Sequence, residues 1–151
     1  MSDFDPPDPA FAARVRASFA RQAVMATIGA AIEDVRPGGV DIRLPFRPEL
    51  TQQHGFLHAG VVTAILDNAC GYAALTLMPA GAGVLSVEFK VNLLAPGEGE
   101  AVVARGRVPR AGRNIVVCAG DAFARGGGAE RPVATMLATM MVVRDRPDVV
   151  D

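Results

Sequence analysis

The chain of 151 residues has the length of one domain, because chains usually divide into separate cores only well beyond about 200 residues. Half of its residues are hydrophobic and 21% are charged, which excludes intrinsic disorder and a membrane protein of several spans. The 15 basic and 16 acidic residues leave a formal charge of -1. No net field attracts a polyanion, so no nucleic-acid partner is expected.

The first residues, 1–8, are rich in proline and aspartate and are predicted to be loose, with one folded domain over 9–146. They contain neither the basic region nor the apolar region of a secretory signal peptide. The two cysteines, Cys70 and Cys118, lie in apolar runs, which is typical of reduced, packed thiols. These features favour a cytoplasmic protein.

An apolar stretch from Ala59 to Met78 approaches the length of a membrane span. Asp67 and Asn68 lie at its centre, where polar groups would be costly in lipid. The stretch is hydrophobic nearly all the way round, which predicts a helix buried inside a protein. No membrane association is expected.

In the other segments the spacing of apolar residues is typical first of a helix and then of strands. From Pro9 to about Ile28, apolar residues recur near every fourth position and predict one amphipathic helix. Alternating apolar residues then predict a β-hairpin over 30–35 and 40–46. After the long helix, four strand-like runs separated by short turn clusters predict an antiparallel meander, over 84–94, 101–108, 114–124 and 133–143.

The order of elements predicts an α+β fold. An antiparallel six-stranded sheet would wrap around the long central helix, with an extra helix at the N-terminus. In the run over 84–94 the alternation predicts one apolar and one polar face. The apolar face would consist of Leu85, Val87, Phe89, Val91 and Leu93. The polar face would consist of Ser86, Glu88, Lys90 and Asn92. A sheet face or edge would remain open, so a homo-oligomer is expected.

Polar residues that interrupt apolar context are concentrated between Gln52 and Asp67. Within this region His58, Ala59 and Gly60 open the long helix, whose first N–H groups lack intrahelical partners and whose dipole favours negative charge. Such donors stabilise the oxyanion that forms when an acyl carbonyl is attacked, by about 3 kcal/mol per donor. The start of this helix is therefore a candidate oxyanion site.

Asp67 is a carboxylate in the middle of an apolar helix, seven positions after Gly60. A carboxylate in such a place can take a proton from water or attack a carbonyl itself. The alternative is a structural role, in which the buried carboxylate only accepts hydrogen bonds from neighbouring donors.

The helix geometry separates these two groups. Seven helical residues rise by about 10 Å, whereas a catalytic carboxylate and an oxyanion donor must each come within about 3 Å of one reacting centre. Two antiparallel copies of the helix, related by a two-fold axis, would bring Asp67 of one chain to the amides of His58 to Gly60 of the other. We therefore hypothesise an active site shared across a homodimer.

These residues carry a family resemblance. The pattern Gln-x-x-Gly-x-x-His-Ala-Gly over 52–60, then Asp67, Ser86 and the strand end over 92–96, resembles the hotdog-fold acyl-CoA thioesterases of the phenylacetate-degradation, PaaI-like family. The match covers about residues 28–143. The resemblance implies hydrolysis of an acyl- or arylacyl-CoA to the free acid and coenzyme A, without a metal or organic cofactor. It also implies homodimers, often paired into homotetramers, with coenzyme A along the subunit interface.

The resemblance also implies roles for individual residues. Asp67 would be the nucleophile or general base, and the backbone N–H of Ala59, which stands where the family has glycine, would polarise the thioester carbonyl. Ser86 would assist the attacking water, and Gln52 falls where the family usually has the asparagine that orients it. His58 would position the helix start. The expected substrate-binding residues are His54, Gly60, Asn68, Arg110 and Arg113, the two arginines meeting phosphates.

Alternative interpretations of several single residues remain open. His54 and His58 are four positions apart and could hold a metal if that segment were helical, but Gly55 disfavours a helix and no third ligand is evident. Cys70 could be a nucleophile, yet buried cysteines are usually inert packing. The methionines near the C-terminus could line an acyl pocket or fill the core. A run of arginines that includes Arg113 could bind phosphate or be a solvated face.

Alternative functions also remain. The main one is a non-catalytic hotdog protein that binds acyl-CoA or a lipid-like ligand. A dehydratase is disfavoured because that chemistry uses a histidine with an acidic partner in another motif. A Ser-His-Asp hydrolase is disfavoured because the sequence contains no G-x-S-x-G nucleophile turn.

Overall fold

Residues 4–151, the part of the chain that the computed structural model describes, form helices at the N-terminus and a sheet around a central helix. The elements in chain order are α1 (Phe11–Ala20), α2 (Ala23–Ile28), β1 (Ala31–Arg36), β2 (Gly39–Pro45), a 3₁₀ turn (Pro48–Leu50), α3 (Ala59–Leu75), β3 (Gly83–Leu93), β4 (Ala101–Ala111), β5 (Ile115–Gly126) and β6 (Ala129–Val143). The predicted six-stranded antiparallel sheet with a long helix packed on it is confirmed.

Helix α3 occupies the centre of the core. From Val62 to Leu75 most of its side chains are buried, and its main contacts are with β4, β2 and β5. Because α3 is apolar on nearly every side, it gains most by lying in the concave face of the curled sheet. No helix among residues 4–151 is both long and apolar enough to cross a bilayer.

Two glycines allow α3 to lie unusually close to the sheet. A Cβ on Gly106 of β4 would overlap the carbonyl oxygen of Ala69, and a Cβ on Gly120 of β5 would lie 2.9 Å from Cys70 Sγ. Any side chain at Gly106 would therefore push the helix backbone away from β4. This close contact sets the distance between α3 and the sheet and the rotation of α3 about its own axis.

The N-terminal region differs from the single predicted helix. The chain breaks at Arg21 and Gln22, and Gln22 has an extended backbone with ψ of 105°. The break turns the Gln22 side chain toward α3, where its Nε2 donates to the hydroxyl of Tyr72 at 2.9 Å. Phe19 also packs edge-to-face on Tyr72, with ring centroids 5.8 Å apart. Tertiary contacts thus override the helical period.

The segment before α1 contacts the core in the part that the structure describes. Phe4 packs against the hydrophobic core, and the buried carboxylate of Asp8 accepts from the N–H of Ala10 at 2.8 Å. Residues 1–3 of the segment predicted to be loose lie outside the described residues.

The C-terminal end of α3 is capped by a side chain from α1. The guanidinium of Arg14 donates to the carbonyls of Leu75, Met78 and Pro79 at 2.7 to 2.9 Å, and its Nε lies 3.4 Å from Asp8 Oδ2. The helix ends at Leu75, three residues before the predicted end, because the chain tightens into i→i+3 turns before Pro79.

The predicted meander is correct for β4, β5 and β6 but wrong for β3. The strand order is β1-β2-β4-β5-β6-β3, so β3 crosses to the far edge and pairs with β6 rather than with β4. Sequence order alone suggested a hairpin, but β4 pairs with β2 on one edge and with β5 on the other, so the free edge at β6 accepts β3. The outer edge of β3 has no partner strand among residues 4–151.

The predicted faces of β3 hold from Glu88 to Leu93 but are reversed at Leu85 and Ser86, because a bulge interrupts the strand. The pairing with β6 shifts between Ser86 and Glu88, leaving Val87 as the extra residue. Ser86 therefore pairs with Met140 and faces the core, while Leu85 pairs with Met141 on the outer face. A bulge reverses the side-chain alternation on one side of it, which a strict period of two cannot anticipate.

We expect the change Gly106→Ala to destabilise the protein by about 3 kcal/mol, because the new Cβ would meet the backbone of α3. The matched control is Gly126→Ala in β5, where the nearest atom to an added Cβ is 3.5 Å away. Urea unfolding of both variants measures the difference. Equal stability of the two variants would show that the helix does not depend on this close contact.

Candidate active site

The N-terminus of α3 is capped by the side chain of the residue before it. His58 has an extended backbone, and its Nδ1 accepts the N–H of Gly60 at 2.9 Å. Its carbonyl accepts the N–H groups of Val61 and Val62. The predicted role of His58 at the helix start is consistent with this geometry.

The cap leaves one helix-terminal donor uncommitted. Among the first amides of α3, the N–H of Ala59 has no hydrogen-bond partner within residues 4–151. Gly60 belongs to the predicted oxyanion group, but its N–H is occupied by His58. The donor available to a ligand is therefore the single amide of Ala59.

Ala59 lines an apolar cavity of about 470 Å³ between the start of α3 and the end of β3. The loop before α3 forms one wall and the segment from Leu93 to Gly97 forms another. The apolar lining residues are Phe56, Leu57, Val62, Leu93, Leu94 and Val133. The sequence analysis missed this cavity, because its walls are separated in the chain and meet only in the folded sheet.

The loop before α3 also positions Gln52. Its side-chain oxygen accepts the backbone N–H of His54, and its own N–H bonds the carbonyl of Phe56 at 2.8 Å. Gln52 lines the apolar cavity beside Ala59, not the surroundings of Asp67 in the same chain. His54 is exposed, with its Nε2 3.4 Å from Gln53 Nε2.

Asp67 and Ser86 are brought together by α3 and the bulge in β3. The hydroxyl of Ser86 lies 2.7 Å from Asp67 Oδ1, to which it donates, and 3.4 Å from the sulfur of Met140. Asp67 is half-buried, and its Oδ2 has no partner among residues 4–151. The carboxylate thus has a structural hydrogen bond on one oxygen and a free oxygen for chemistry.

A small polar cavity of about 100 Å³ adjoins this pair. Its lining residues are Gln22, Asp67, Asn68, Gly71, Tyr72, Val84, Ser86 and Asp151. The Asp151 carboxylate accepts from Ser18 Oγ at 2.6 Å and from the N–H of Val84 at 2.9 Å. Burial raises the pKa of the Tyr72 hydroxyl, which keeps it protonated. Sequence reasoning singled out Asn68 but missed Gly71, although its spacing of four from Asp67 was a usable signal.

One chain does not bring the carboxylate and the oxyanion donor together. Helix α3 runs unbroken from Ala59 through Asp67, so eight residues separate the two groups by about 12 Å along the axis. Each lines a different cavity.

Arg110 and Arg113 lie around the tip of the β4–β5 hairpin. Both side chains are exposed, and neither has an ion-pair partner in the described part of the chain. Ile115 and Leu85 both pair with Met141, so this hairpin tip lies at the same end of the sheet as Ser86.

The alternative sites receive no structural support. No group of three or more His, Cys, Asp or Glu side chains within residues 4–151 could hold a metal ion. Both thiols are buried: burial strongly raises the pKa of Cys70, and it raises the pKa of Cys118 to about 12. Thiols in this state are not nucleophiles near neutral pH. Met136 and Met140 fill the core, as the packing interpretation predicted.

The family follows from comparison with known proteins. A family model described as the thioesterase superfamily matches residues 54–130, which include the α3 N-terminus, Asp67 and Ser86. The chain therefore belongs to the thioesterase superfamily, and its fold is the hotdog fold that the sequence resemblance predicted.

Relatives of known structure agree with this assignment. A thioesterase family protein from Silicibacter pomeroyi is 53% identical with a TM-score of 0.87, and the match covers 89% of this chain and 98% of that one. The PaaI protein from the phenylacetic acid degradation operon of E. coli has a TM-score of 0.77, with 88% and 93% covered. At 16% identity, the second likeness shows the fold alone.

Among curated proteins, one from Saccharolobus solfataricus that is provisionally named an esterase is 31% identical over 84 residues. The match covers 56% of this chain, and the chain spans 59% of the length of that relative.

We expect His58→Ala to lower the free energy of unfolding by about 1 kcal/mol, because the N–H of Gly60 loses its cap. His58→Asn should stay close to the wild type, because asparagine is also a good N-cap. Urea unfolding of the two variants tests this. If His58→Ala is as stable as His58→Asn, the imidazole does not cap α3.

Proposed function

We propose that the protein hydrolyses the thioester of an acyl- or arylacyl-CoA to the free acid and coenzyme A. The observation that carries the proposal is the pair formed by Asp67 and Ser86 beside the outer edge of β3, which has no partner strand within residues 4–151. The uncommitted amide of Ala59 lies at the N-terminus of the same helix that carries Asp67. A carboxylate and an oxyanion donor are the two groups that acyl transfer to water needs.

The site is completed by a second copy of the chain. We infer that two β3 edges meet antiparallel about a two-fold axis, which sets the two α3 helices side by side in opposite directions. Exposed apolar residues along β3 support this pairing: Leu85, Val87 and Phe89 are 43 to 55% exposed. Asp67 of one protomer then faces Ala59 of its partner, because Ala59 begins α3 and Asp67 lies at its middle, and a two-fold axis level with the residues between them brings the two positions together.

The two-fold arrangement also gives each part of the substrate a place. The apolar cavity beside Ala59 suits the acyl group, since it is lined by aliphatic and aromatic side chains. Arg110 and Arg113 lie near the same end of the sheet as Ser86, which contacts Asp67. They have no ion-pair partner within residues 4–151, so they suit the phosphates of coenzyme A. Gln52 lines the acyl cavity, and the exposed His54 follows in the same loop, where it suits contact with the substrate outside the cavity.

In the reaction, the carbonyl oxygen of the thioester accepts from the N–H of Ala59. Asp67 acts in one of two ways: it takes a proton from the water that attacks the carbonyl carbon, or it attacks that carbon itself and water cleaves the resulting anhydride. In both routes the carbon–sulfur bond breaks, the new carbon–oxygen bond comes from water overall, and the thiolate of coenzyme A takes up a proton. No step needs a metal or an organic cofactor.

The outer face of the sheet supports further assembly. Ile115, Leu137 and Met141 form an apolar patch that is 39 to 57% exposed on the face away from α3. Patches of this kind mark interfaces between copies of a chain. We infer that dimers pair into a homotetramer through this face, in the cytoplasm, where two free thiols remain reduced.

The rival function is a non-catalytic protein that binds acyl-CoA or a lipid-like ligand in the same cavity. The cavity by itself fits both functions. The hydrogen bond between Ser86 and Asp67 favours the enzyme, because an apolar ligand gains nothing from a half-buried carboxylate.

We expect Asp67→Asn to lower kcat on acyl-CoA substrates by between about a hundredfold and ten-thousandfold, because the amide can neither take a proton nor attack. Release of free thiol from a panel of acyl-CoAs measures this, with Asp34→Asn on the surface as the control. A wild type without turnover that still binds acyl-CoA would favour the binding protein. Undiminished turnover by Asp67→Asn would exclude its catalytic role.

The shared site predicts complementation between two inactive variants. Ala59→Pro removes the oxyanion donor at a helix position that tolerates proline, and Asp67→Asn removes the base. A mixed dimer of the two keeps one intact site, so an equal mixture refolded together should regain about a quarter of wild-type activity. Mixing without subunit exchange is the control. No recovery in a mixture shown to contain mixed dimers would place the whole site within one chain.

A further inference from the structure

The polar cavity beside Asp67 is distinct from the acyl cavity in size and lining. At about 100 Å³ it has room for roughly three water molecules. Most of its polar groups already have partners. Asp151 accepts from Ser18 and Val84, and Tyr72 is bonded to Ser18 and Gln22.

Two acceptor atoms of residues that line this cavity are without partners in the described part of the chain. One is Asp67 Oδ2, since Oδ1 takes the Ser86 hydroxyl. The other is Asn68 Oδ1, which is fully buried, while the Nδ2 of the same amide donates to the carbonyl of Ala64 at 3.1 Å. A buried acceptor without a donor is costly and is rare in native proteins.

The attacking water needs two acceptors. One lone pair must point at the carbonyl carbon, one O–H must point at the base, and the other O–H must be satisfied elsewhere. Gln52 is the residue that the family resemblance assigns to this task, but its oxygen already accepts the N–H of His54, which holds the side chain against its own loop. Asn68 Oδ1 is a buried acceptor beside Asp67 that carries no other bond.

We propose that the polar cavity is the binding site of the hydrolytic water, and that Asn68, rather than Gln52, is the residue that positions it. The inference rests on the proposed thioesterase function. The water donates one proton to Asp67 Oδ2 and one hydrogen bond to Asn68 Oδ1. Its oxygen bonds to the acyl carbon, the carbon–sulfur bond breaks, and the proton held by Asp67 passes to the thiolate.

Gly71 keeps this site open. It lies one turn after Asp67 on the same side of α3, and a Cβ at this position would meet nothing within 4 Å, although the residue is buried. Glycine inside a helix costs about 1 kcal/mol relative to alanine. The chain accepts this cost where an alanine methyl would occupy part of the cavity that Gly71 lines.

The first test is Asn68→Leu, which removes the acceptor at similar size. We expect kcat to fall by about tenfold to a hundredfold with KM unchanged, and by the same factor for every acyl-CoA tested, because the acyl group does not enter this cavity. Asn68→Ser should recover part of the loss, since a helical serine hydroxyl donates to the carbonyl four residues back and keeps its oxygen as an acceptor.

The second test is Gly71→Ala, for which we expect changes in opposite directions. The midpoint of urea unfolding should rise, because alanine is the better helix former, while kcat should fall at least tenfold. A purely structural role for this cavity would move stability and activity together. Sizing of both variants against the wild type keeps loss of the dimer apart from loss of the water site.

The outcomes separate this inference from the proposed function. If the wild type hydrolyses acyl-CoA but Asn68→Leu and Gly71→Ala keep full kcat, the water site is wrong and the thioesterase stands. An effect that grows with acyl length or raises KM assigns the cavity to the substrate and overturns the inference. If the wild type has no turnover, a high-resolution crystal structure still decides: a water bonded to Asp67 and Asn68 supports the site, and another donor on Asn68 Oδ1 overturns it.

Discussion

The backbone contact between helix α3 and the sheet is the constraint on which the rest of the molecule depends. Gly106 and Gly120 let the helix lie against β4 and β5 at a distance that any side chain would increase. Leu66 and Cys70 therefore point into the sheet, and Asp67, about 100° further round the helix than Leu66, is turned toward β3. An apolar helix is buried by the hydrophobic effect alone, but its rotation is set by this contact.

Three local features then fix the polar groups at the start, the middle and the end of α3. At the N-terminus, His58 caps Gly60 and leaves Ala59 as the free amide. In the middle, the bulge at Val87 turns Ser86 inward onto Asp67. At the C-terminus, Arg14 of α1 donates hydrogen bonds to three backbone carbonyls and so connects the N-terminal helices to α3. Because the free amide and the carboxylate lie about 12 Å apart along one helix, the proposed site needs two copies of the chain.

The sequence predicted those parts of the fold that depend on local pattern. The start of α3 at Ala59 and the β1–β2 hairpin follow from capping and from periods of 3.6 and 2. The errors fall where a distant contact overrides a local preference. The break at Gln22 depends on Tyr72, and the crossing of β3 depends on the pairing of β4 with both β2 and β5. The faces at the start of β3 depend on a bulge that has no composition signal. The two cavities have walls from distant segments, so no window of sequence could contain them.

The sequence by itself determined the identities that matter for chemistry: an apolar helix interrupted by Asp67, a helix start at His58 and Ala59, and a serine within an apolar strand. These are visible because a polar residue in apolar context carries a free-energy cost that needs a reason. Only the tertiary structure decided which atoms remain uncommitted. The oxygen of Gln52 already has a donor and the amide of Gly60 is bonded to His58, whereas Ala59 N–H, Asp67 Oδ2 and Asn68 Oδ1 have no partner within residues 4–151. Hydrogen-bond partners are assigned by three-dimensional proximity, and that is the one quantity that residue order does not contain.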